Sequence, residues 1–401
     1  MKDWKEYRLG EMIQCNPQVK LEKGKSYTLI DIDSIEIGSR YVKGKELTEY
    51  DGQSGCHFQN GDTVMARITP CLENGKIAQV QCESQKGFGS TELFVFRGME
   101  NKTDSNYVFN LMSMQFIRDL AANSMTGASG RQRADLGFIK RIKWNFPPLP
   151  TQQKIASILS AYDDLIQNYK KQIEALQTAA SELYKEWFVR FRFPGWQNAK
   201  FENGIPEGWS ICRLKDFGKV ITGKTPPTEK EEYYGGDVMF VKTPDMHGNM
   251  FVQSTSEYLS KLGCEYQKAQ YLPENSIMVS CIGTGGITAI NAYPANTNQQ
   301  INSIILKDKK YLPWLYFTIS NMKETIEMFG NTGTTMTNLS KGKFEKLKVV
   351  KPEHSIIQTF ENKVSPLFEQ IKNLNKQITN LTQQRDLLLP RLMSDKLEVL
   401  K

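Results

Sequence analysis

Trp4-Lys5-Glu6-Tyr7-Arg8-Leu9-Gly10-Glu11 returns as Trp209-Ser210-Ile211-Cys212-Arg213-Leu214-Lys215-Asp216, a W-x-x-x-R-L-x-[DE] pattern displaced by 205 residues. The same displacement carries Pro147 onto Pro352, Gln153 onto Gln358, Ile166 onto Ile371, Ile173 onto Ile378 and Leu176 onto Leu381. In a chain of 401 residues this is a little over half the length, so the sequence is two diverged copies of one large unit. Such a duplication predicts a pseudo-two-fold molecule whose two similar surfaces meet a partner with two similar halves. A bipartite DNA site is a partner of that kind.

Each copy has two textures. Residues 1–147 are rich in Gly, Asn, Thr and Ser, with short β-branched runs at 26–32, 63–68, 76–80 and 93–96 bounded by turn residues. A helix is expected over 107–122. Residues 196–352 repeat this texture, with strands expected at 238–242, 277–281 and 303–306 and a helix at 314–328. Between and after these domains lie two helical regions, 148–195 and 353–401.

In the first helical region Tyr162, Ile166, Tyr169, Ile173, Leu176, Ala180, Leu183 and Trp187 are spaced 4-3-4-3-4-3-4, a heptad seam. Pro147, Pro148 and Pro150 punctuate its start, and Phe193-Pro194-Gly195 is expected to end it. The second region repeats the phase with Leu367, Ile371, Leu374, Ile378, Leu381, Arg385, Leu388 and Leu392, each 205 residues after its counterpart. Three positions depart from the pattern. Pro366 is expected to open a new helix with Ser365 as its N-cap. Pro390 is expected to bend or end the helix, which leaves Leu392 little role. Arg385 replaces an apolar seam residue. The simpler reading of each region is an amphipathic helix packed on its own domain. Two helices of this length on one phase point instead to each other, antiparallel across a pseudo-two-fold axis. The fold class is therefore α+β: two mixed, strand-rich domains separated by two long helices in an antiparallel coiled coil.

Charge and cysteine usage bound the function. Lys and Arg number 51 against 44 Asp and Glu, a net charge of +7 spread over both copies, compatible with nucleic acid without demonstrating it. The seven cysteines form no C-x-x-C pair, and with three histidines no zinc-ligand spacing exists. Scattered thiols, no signal-peptide pattern at Met1-Lys2-Asp3-Trp4 and no apolar run of membrane length predict a cytoplasmic protein.

Motifs for chemistry are sparse. Neither a Walker A loop nor G-x-G-x-x-G is present. Gly283-Thr284-Gly285-Gly286 lacks the following Lys-[Ser/Thr] and reads as a tight turn after a strand. Asn145-Phe146-Pro147-Pro148 has the wrong order for the tetrad of amino-methyltransferases and reads as a rigid linker. His57, His247 and His354 have no sequence-local triad or metal partner. The chain reads as a binder rather than a catalyst, with no cofactor and no metal of its own.

Several segments together resemble the specificity (S) subunits of type I restriction-modification enzymes. Leu183-Tyr184-Lys185-Glu186-Trp187-Phe188-Val189-Arg190-Phe191-Arg192-Phe193-Pro194-Gly195 is similar to the end of that family's central conserved helix, and Pro148-Leu149-Pro150-Thr151-Gln152-Gln153-Lys154-Ile155-Ala156 to its start. Leu387-Leu388-Leu389-Pro390-Arg391-Leu392-Met393-Ser394 resembles the distal conserved region. Residues 66–76 resemble one class of target-recognition domain, and 221–227, 234–237 and 241–245 another. The resemblance implies target-recognition domains at 1–147 and 196–352, each reading half of a split double-stranded DNA sequence. It implies a helical ruler between them and two methyltransferase (M) subunits docked on the helices, carrying S-adenosylmethionine. Restriction (R) subunits would add ATP- and Mg-dependent translocation and cleavage. An alternative of the same shape is a split-site reader serving a fused restriction/methyltransferase partner.

Residues able to contact DNA are those with groove or phosphate chemistry in glycine-punctuated loops. In the first domain they are Arg67, Thr69, Asn74, Lys76, Arg131, Gln132 and Arg133. In the second they are Lys224, Thr225, Lys242, Thr243, Gln299, Gln300, Thr334, Asn338 and Lys341.

Overall fold

The structure, a computed structural model, describes residues 3–44, 46–127, 132–331 and 337–394. Two compact units emerge. Unit 1 is Met1–Tyr169 with Ile378–Lys401, and unit 2 is Lys170–Gln377. Each holds one strand-rich domain and a part of each long helix.

The repeated motif opens each domain by the same device. Arg8 donates its backbone N–H to Glu11 Oε2 at 2.9 Å, and Arg213 donates to Asp216 Oδ2 at 2.8 Å, so the acid ends a strand and starts a short helix. The intervening Leu9 and Leu214 are fully buried. Their N–H groups bond Ile142 O and Leu347 O. The preceding strand closes the domain on itself: Lys5–Arg8 pairs antiparallel with Lys143–Phe146, and Ser210–Arg213 with Lys348–Lys351. The registers Lys5↔Phe146 and Ser210↔Lys351 are the same after the 205-residue displacement.

The main sheets also correspond strand for strand. In unit 1 the order is Ile13–Cys15, Leu93–Gly98, Thr63–Ala66, Ile77–Val80, Tyr41–Val42. In unit 2 it is Gly218–Thr222, Ile301–Leu306, Ile277–Ser280, Thr288–Asn291, Phe251–Val252. Both are antiparallel except for the last, parallel edge strand. Thr63–Ala66, Ile77–Val80 and Ile277–Ser280 are buried at every residue and are apolar except at Thr63, Gln79 and Ser280. The run at 26–32 forms Ser26–Ile30, in a second, four-stranded sheet. The run at 238–242 ends the longer strand Tyr234–Val241. Each expected helix after the sheet is two helices: Ser105–Ser113 and Gln115–Asn123, then Leu312–Ser320 and Lys323–Gly330. Met114, with φ −60° and ψ 134°, breaks the first pair.

The central helix runs Leu149–Tyr184 and finishes in a π turn, Lys185–Val189, short of the expected stop at Phe193-Pro194-Gly195. Ile166, Ile173, Ala180 and Trp187 are buried at seven-residue intervals, and Tyr162, Tyr169, Leu176 and Leu183 are half-buried beside them. Its first part is fixed by Gln152, whose Nε2 donates to Pro147 O and Lys102 O while Oε1 accepts from Asp104 N–H.

The distal helix overturns two expectations. It is continuous from His354 to Met393, through both Pro366 and Pro390. Ser365 is not an N-cap; its hydroxyl bonds Glu361 Oε1 one turn back. An interior proline costs about 3 kcal/mol. Burying Phe360, Val364, Phe368 and Ile371 on one face gains ~1.5–3 kcal/mol each, so packing outweighs the break. Phe368 rather than Leu367 takes the deeper position. Beyond Pro390, Leu392 and Met393 are fully buried in the core of unit 1 with Ile155 and Leu159 of the central helix, so Leu392 is a core residue after all. There the two helices run in opposite directions, Asp163 meeting Arg385 at 2.7 Å. Leu374 is buried, and Ile378, Leu381 and Leu388 are half-buried. In unit 2, Trp187 and Phe188 stack on Phe360 at 5.8 and 4.9 Å.

Because Pro366 is exposed and only interrupts backbone bonding, Pro366→Ala should raise the free energy of unfolding by about 1–3 kcal/mol. Chemical denaturation measures it; a loss of stability would mean that the proline is required for the helix path.

Candidate nucleic-acid interface

In unit 1 the loop joining Thr63–Ala66 to Ile77–Val80 lies against residues 132–134. Ile68 bridges Arg133, Thr69 N–H donates to Gln132 O at 3.0 Å and Ala134 N–H to Arg67 O at 2.8 Å. Arg67, Thr69, Gln132 and Arg133 are thereby brought to one place. Asn74 is exposed on the same loop.

The side chains are less free than the sequence suggests. Arg133 makes a forked pair with Glu92, with bonds of 2.6–3.0 Å. The Arg133 hydrogen bond holds the Glu92 carboxyl below its usual range, so the pair persists at neutral pH and is lost only as pH falls through that lowered value. Arg67 lies over the Phe94 ring at 4.9 Å, a packed cation. Lys76 donates to Ile32 O at 2.9 Å, with Asp33 at 3.6 Å, and so ties two loops together. The Thr69 hydroxyl reaches Met125 Sδ. Arg131 lies outside the described residues.

Unit 2 repeats the geometry with different side chains. The loop after Ile277–Ser280 bridges Thr337–Asn338, pairing Ile282 with Asn338 and Gly283 with Thr337. Asn338 therefore stands where Arg133 stands in unit 1. The Gly283-Thr284-Gly285-Gly286 turn is held by Ser280, whose hydroxyl donates to Thr284 O and accepts from Ile287 N–H. A second group gathers beside it. Thr225 bonds Gln299 Oε1 at 2.6 Å, Thr243 bonds Gln300 Oε1 at 3.2 Å, and Gln300 O accepts Cys281 N–H at 2.7 Å. Lys224 joins through its N–H to Thr297 O. Lys242 stands apart, paired with Glu257 at 2.7 Å, and Lys341 faces Glu345 along its own helix at 3.7 Å. Thr334 lies outside the described residues.

Two features escaped the sequence reading. Glu92 is far from Arg133 in the chain, with no local signal of the pair. Tyr233 and Tyr266 stack at 5.0 Å, with Lys224 over Tyr266 at 4.7 Å and Lys230 over Tyr233 at 5.2 Å. That exposed cation–aromatic cluster joins segments with no motif in common. The described cysteines are all free thiols, and burial pushes Cys15 and Cys281 up to about 11 and Cys56 to about 12. Among the described residues no group of His, Cys, Asp and Glu could hold a metal ion, and no helix is long and apolar enough to cross a membrane.

Comparison with known proteins finds the same duplication. Residues 1–178 and again 206–383 match the type I restriction modification DNA specificity domain, and the chain belongs to that family. It is a specificity subunit of the type I class, with two target-recognition domains. It is 28% identical to the type I restriction enzyme HindI specificity subunit of Haemophilus influenzae, over 98% of this chain and 99% of that protein. To the MjaIX specificity subunit of Methanocaldococcus jannaschii it is 31% identical, over 73% of this chain and 68% of the relative. The crystal structure of the type I S subunit from M. genitalium has the same fold, with a TM-score of 0.56 at 14% identity over 98% of this chain and 96% of that one.

If Arg133 contacts DNA, Glu92 competes with the phosphate or base for it. Glu92→Gln should then strengthen duplex binding and steepen its salt dependence by about one released counterion. Binding titrations across ionic strength check this; an unchanged slope with lowered thermal stability would make the pair purely structural.

Proposed function

We propose that each target-recognition domain reads one half of a bipartite double-stranded DNA sequence, and that the two long helices set the spacing and dock two methyltransferase subunits. Methylation and cleavage then belong to partners: S-adenosylmethionine to the M subunits, ATP and Mg to the R subunits, with this chain supplying recognition and no catalysis. Its workplace is the cytoplasm, where the DNA is. One observation carries the reading. The closing strands correspond between units at the 205-residue displacement, and the five-stranded sheets and loop bridges correspond in order and pairing, whereas the side chains on corresponding loops differ, as at Arg133 and Asn338. A constant frame with variable tips is what two half-sites of different sequence require.

Two experiments test it. Exchanging residues 1–147 for the equivalent domain of a relative should change the bases of one half-site and leave the other intact, as read by mapping methylated sites. A simultaneous change in both halves would reject separate readers. Inserting four residues near Gln177 adds about 6 Å of helix at ~1.5 Å per residue. With B-DNA rising ~3.4 Å per base pair, the spacer should lengthen in a discrete step of roughly one to two base pairs. An unchanged spacer with both half-sites still read would show that the helices are not the ruler.

A further inference from the structure

One carboxylate joins three parts of unit 1. Asp163, on the central helix, accepts Arg40 Nη1 on Oδ2 at 3.2 Å and Arg385 Nη1 on Oδ1 at 2.7 Å. Arg40 precedes the edge strand Tyr41–Val42 of the recognition domain; Arg385 lies on the distal helix. The side chains of Arg40 and Asp163 are only 2% and 3% exposed. Arg40 also donates to Ser160 Oγ at 2.7 Å, Asn106 Oδ1 at 2.9 Å and Gln79 Oε1 at 3.1 Å. Asp386 balances Arg385 at 2.9 Å.

In unit 2 the four corresponding positions carry no charge, and the nearby Lys372 lies over the Phe251 ring at 5.7 Å instead of pairing with a buried carboxylate. Gln79 N–H donates to Arg40 O at 2.7 Å, and Ile290 N–H donates to Met250 O at 2.8 Å, one edge-strand bond in two copies. Met250 and Ile290 therefore occupy the places of Arg40 and Gln79. The 205-residue displacement sets Phe368 at the place of Asp163 and Ala180 at that of Arg385. All four are buried. Phe368 packs on Phe251, Phe317 and Tyr316 at 5.5–5.9 Å.

The apolar set shows that stability does not require charge here, since apolar residues often replace a buried ionic group at no loss. What two guanidiniums on one carboxylate add is direction: each bond fixes an angle and a register that a packed aromatic surface leaves adjustable. We propose that Asp163 is a positioning residue for half-site spacing. It holds the first recognition domain in one register against both helices, so that its half-site is read at a sharply defined offset. This role rests on the helical-ruler reading above.

The test uses the full chain assembled with its methyltransferase partner and maps methylated sites. Asp163→Asn and Arg40→Met should keep the bases of both half-sites but raise the share of sites with a spacer one base pair too long or short by about tenfold. The combined variant Arg40→Met, Gln79→Ile, Asp163→Phe, Arg385→Ala copies the junction of unit 2. It should melt within a few degrees of the parent and still show the broadened spacer, separating positioning from stability. A folded variant with a single, parental spacer would overturn the proposal. If the four-residue insertion shifts the spacer while these variants leave it sharp, only the role of Asp163 fails. If the insertion shifts nothing, the ruler reading falls and this role with it.

Discussion

Each recognition domain depends on one ladder of backbone hydrogen bonds between its first strand and its last. Lys5–Arg8 on Lys143–Phe146 closes a loop of about 140 residues. Loop closure on that scale costs roughly 4 kcal/mol. The flanking side chains that it places in the core, Leu9, Ile142 and Phe146, each return ~1.5–3 kcal/mol, so the closure is favourable. The strand side chains of Lys5–Arg8 are themselves exposed; the ladder is a backbone feature, which is why its sequence can drift between copies while its register does not. Closure makes the chain leave each domain where it entered, and the helix that follows starts at that point.

Most of the architecture was legible because repetition and period survive divergence. The W-x-x-x-R-L-x-[DE] motif exposed the duplication, though not the closing strands on which it lies, and the heptads from Tyr162 to Trp187 marked the central helix. The prolines misled because local propensity was weighed alone. Pro366 and Pro390 each carry the cost of a missing bond, but the burial of Phe360, Val364, Phe368 and Leu392 is a tertiary term that no local window contains. Arg385 looked like a flaw in an apolar seam for the same reason: its partner, Asp163, is 222 residues away. The candidate loops were legible only as loops. Which cations are already engaged depends on long-range pairs such as Arg133 with Glu92 and Lys242 with Glu257.

Those pairs change how the positive charge should be understood. The excess is small, and several cations in the candidate loops sit beside a carboxylate rather than facing solvent alone. DNA approaching such a surface must exchange one partner for another instead of meeting bare charge. An exchange of this kind weakens general attraction to a phosphate backbone.

The division of the chain also orders its own synthesis. Unit 2 is one continuous stretch, but unit 1 takes Leu392 and Met393 from a helix translated after everything in unit 2. Until that last turn leaves the ribosome, Ile155 and Leu159 lack part of their cover, however long the first domain has been waiting. A chain interrupted before this point would leave apolar surface of its first domain uncovered. The core of the first half is thus completed only by the arrival of the second.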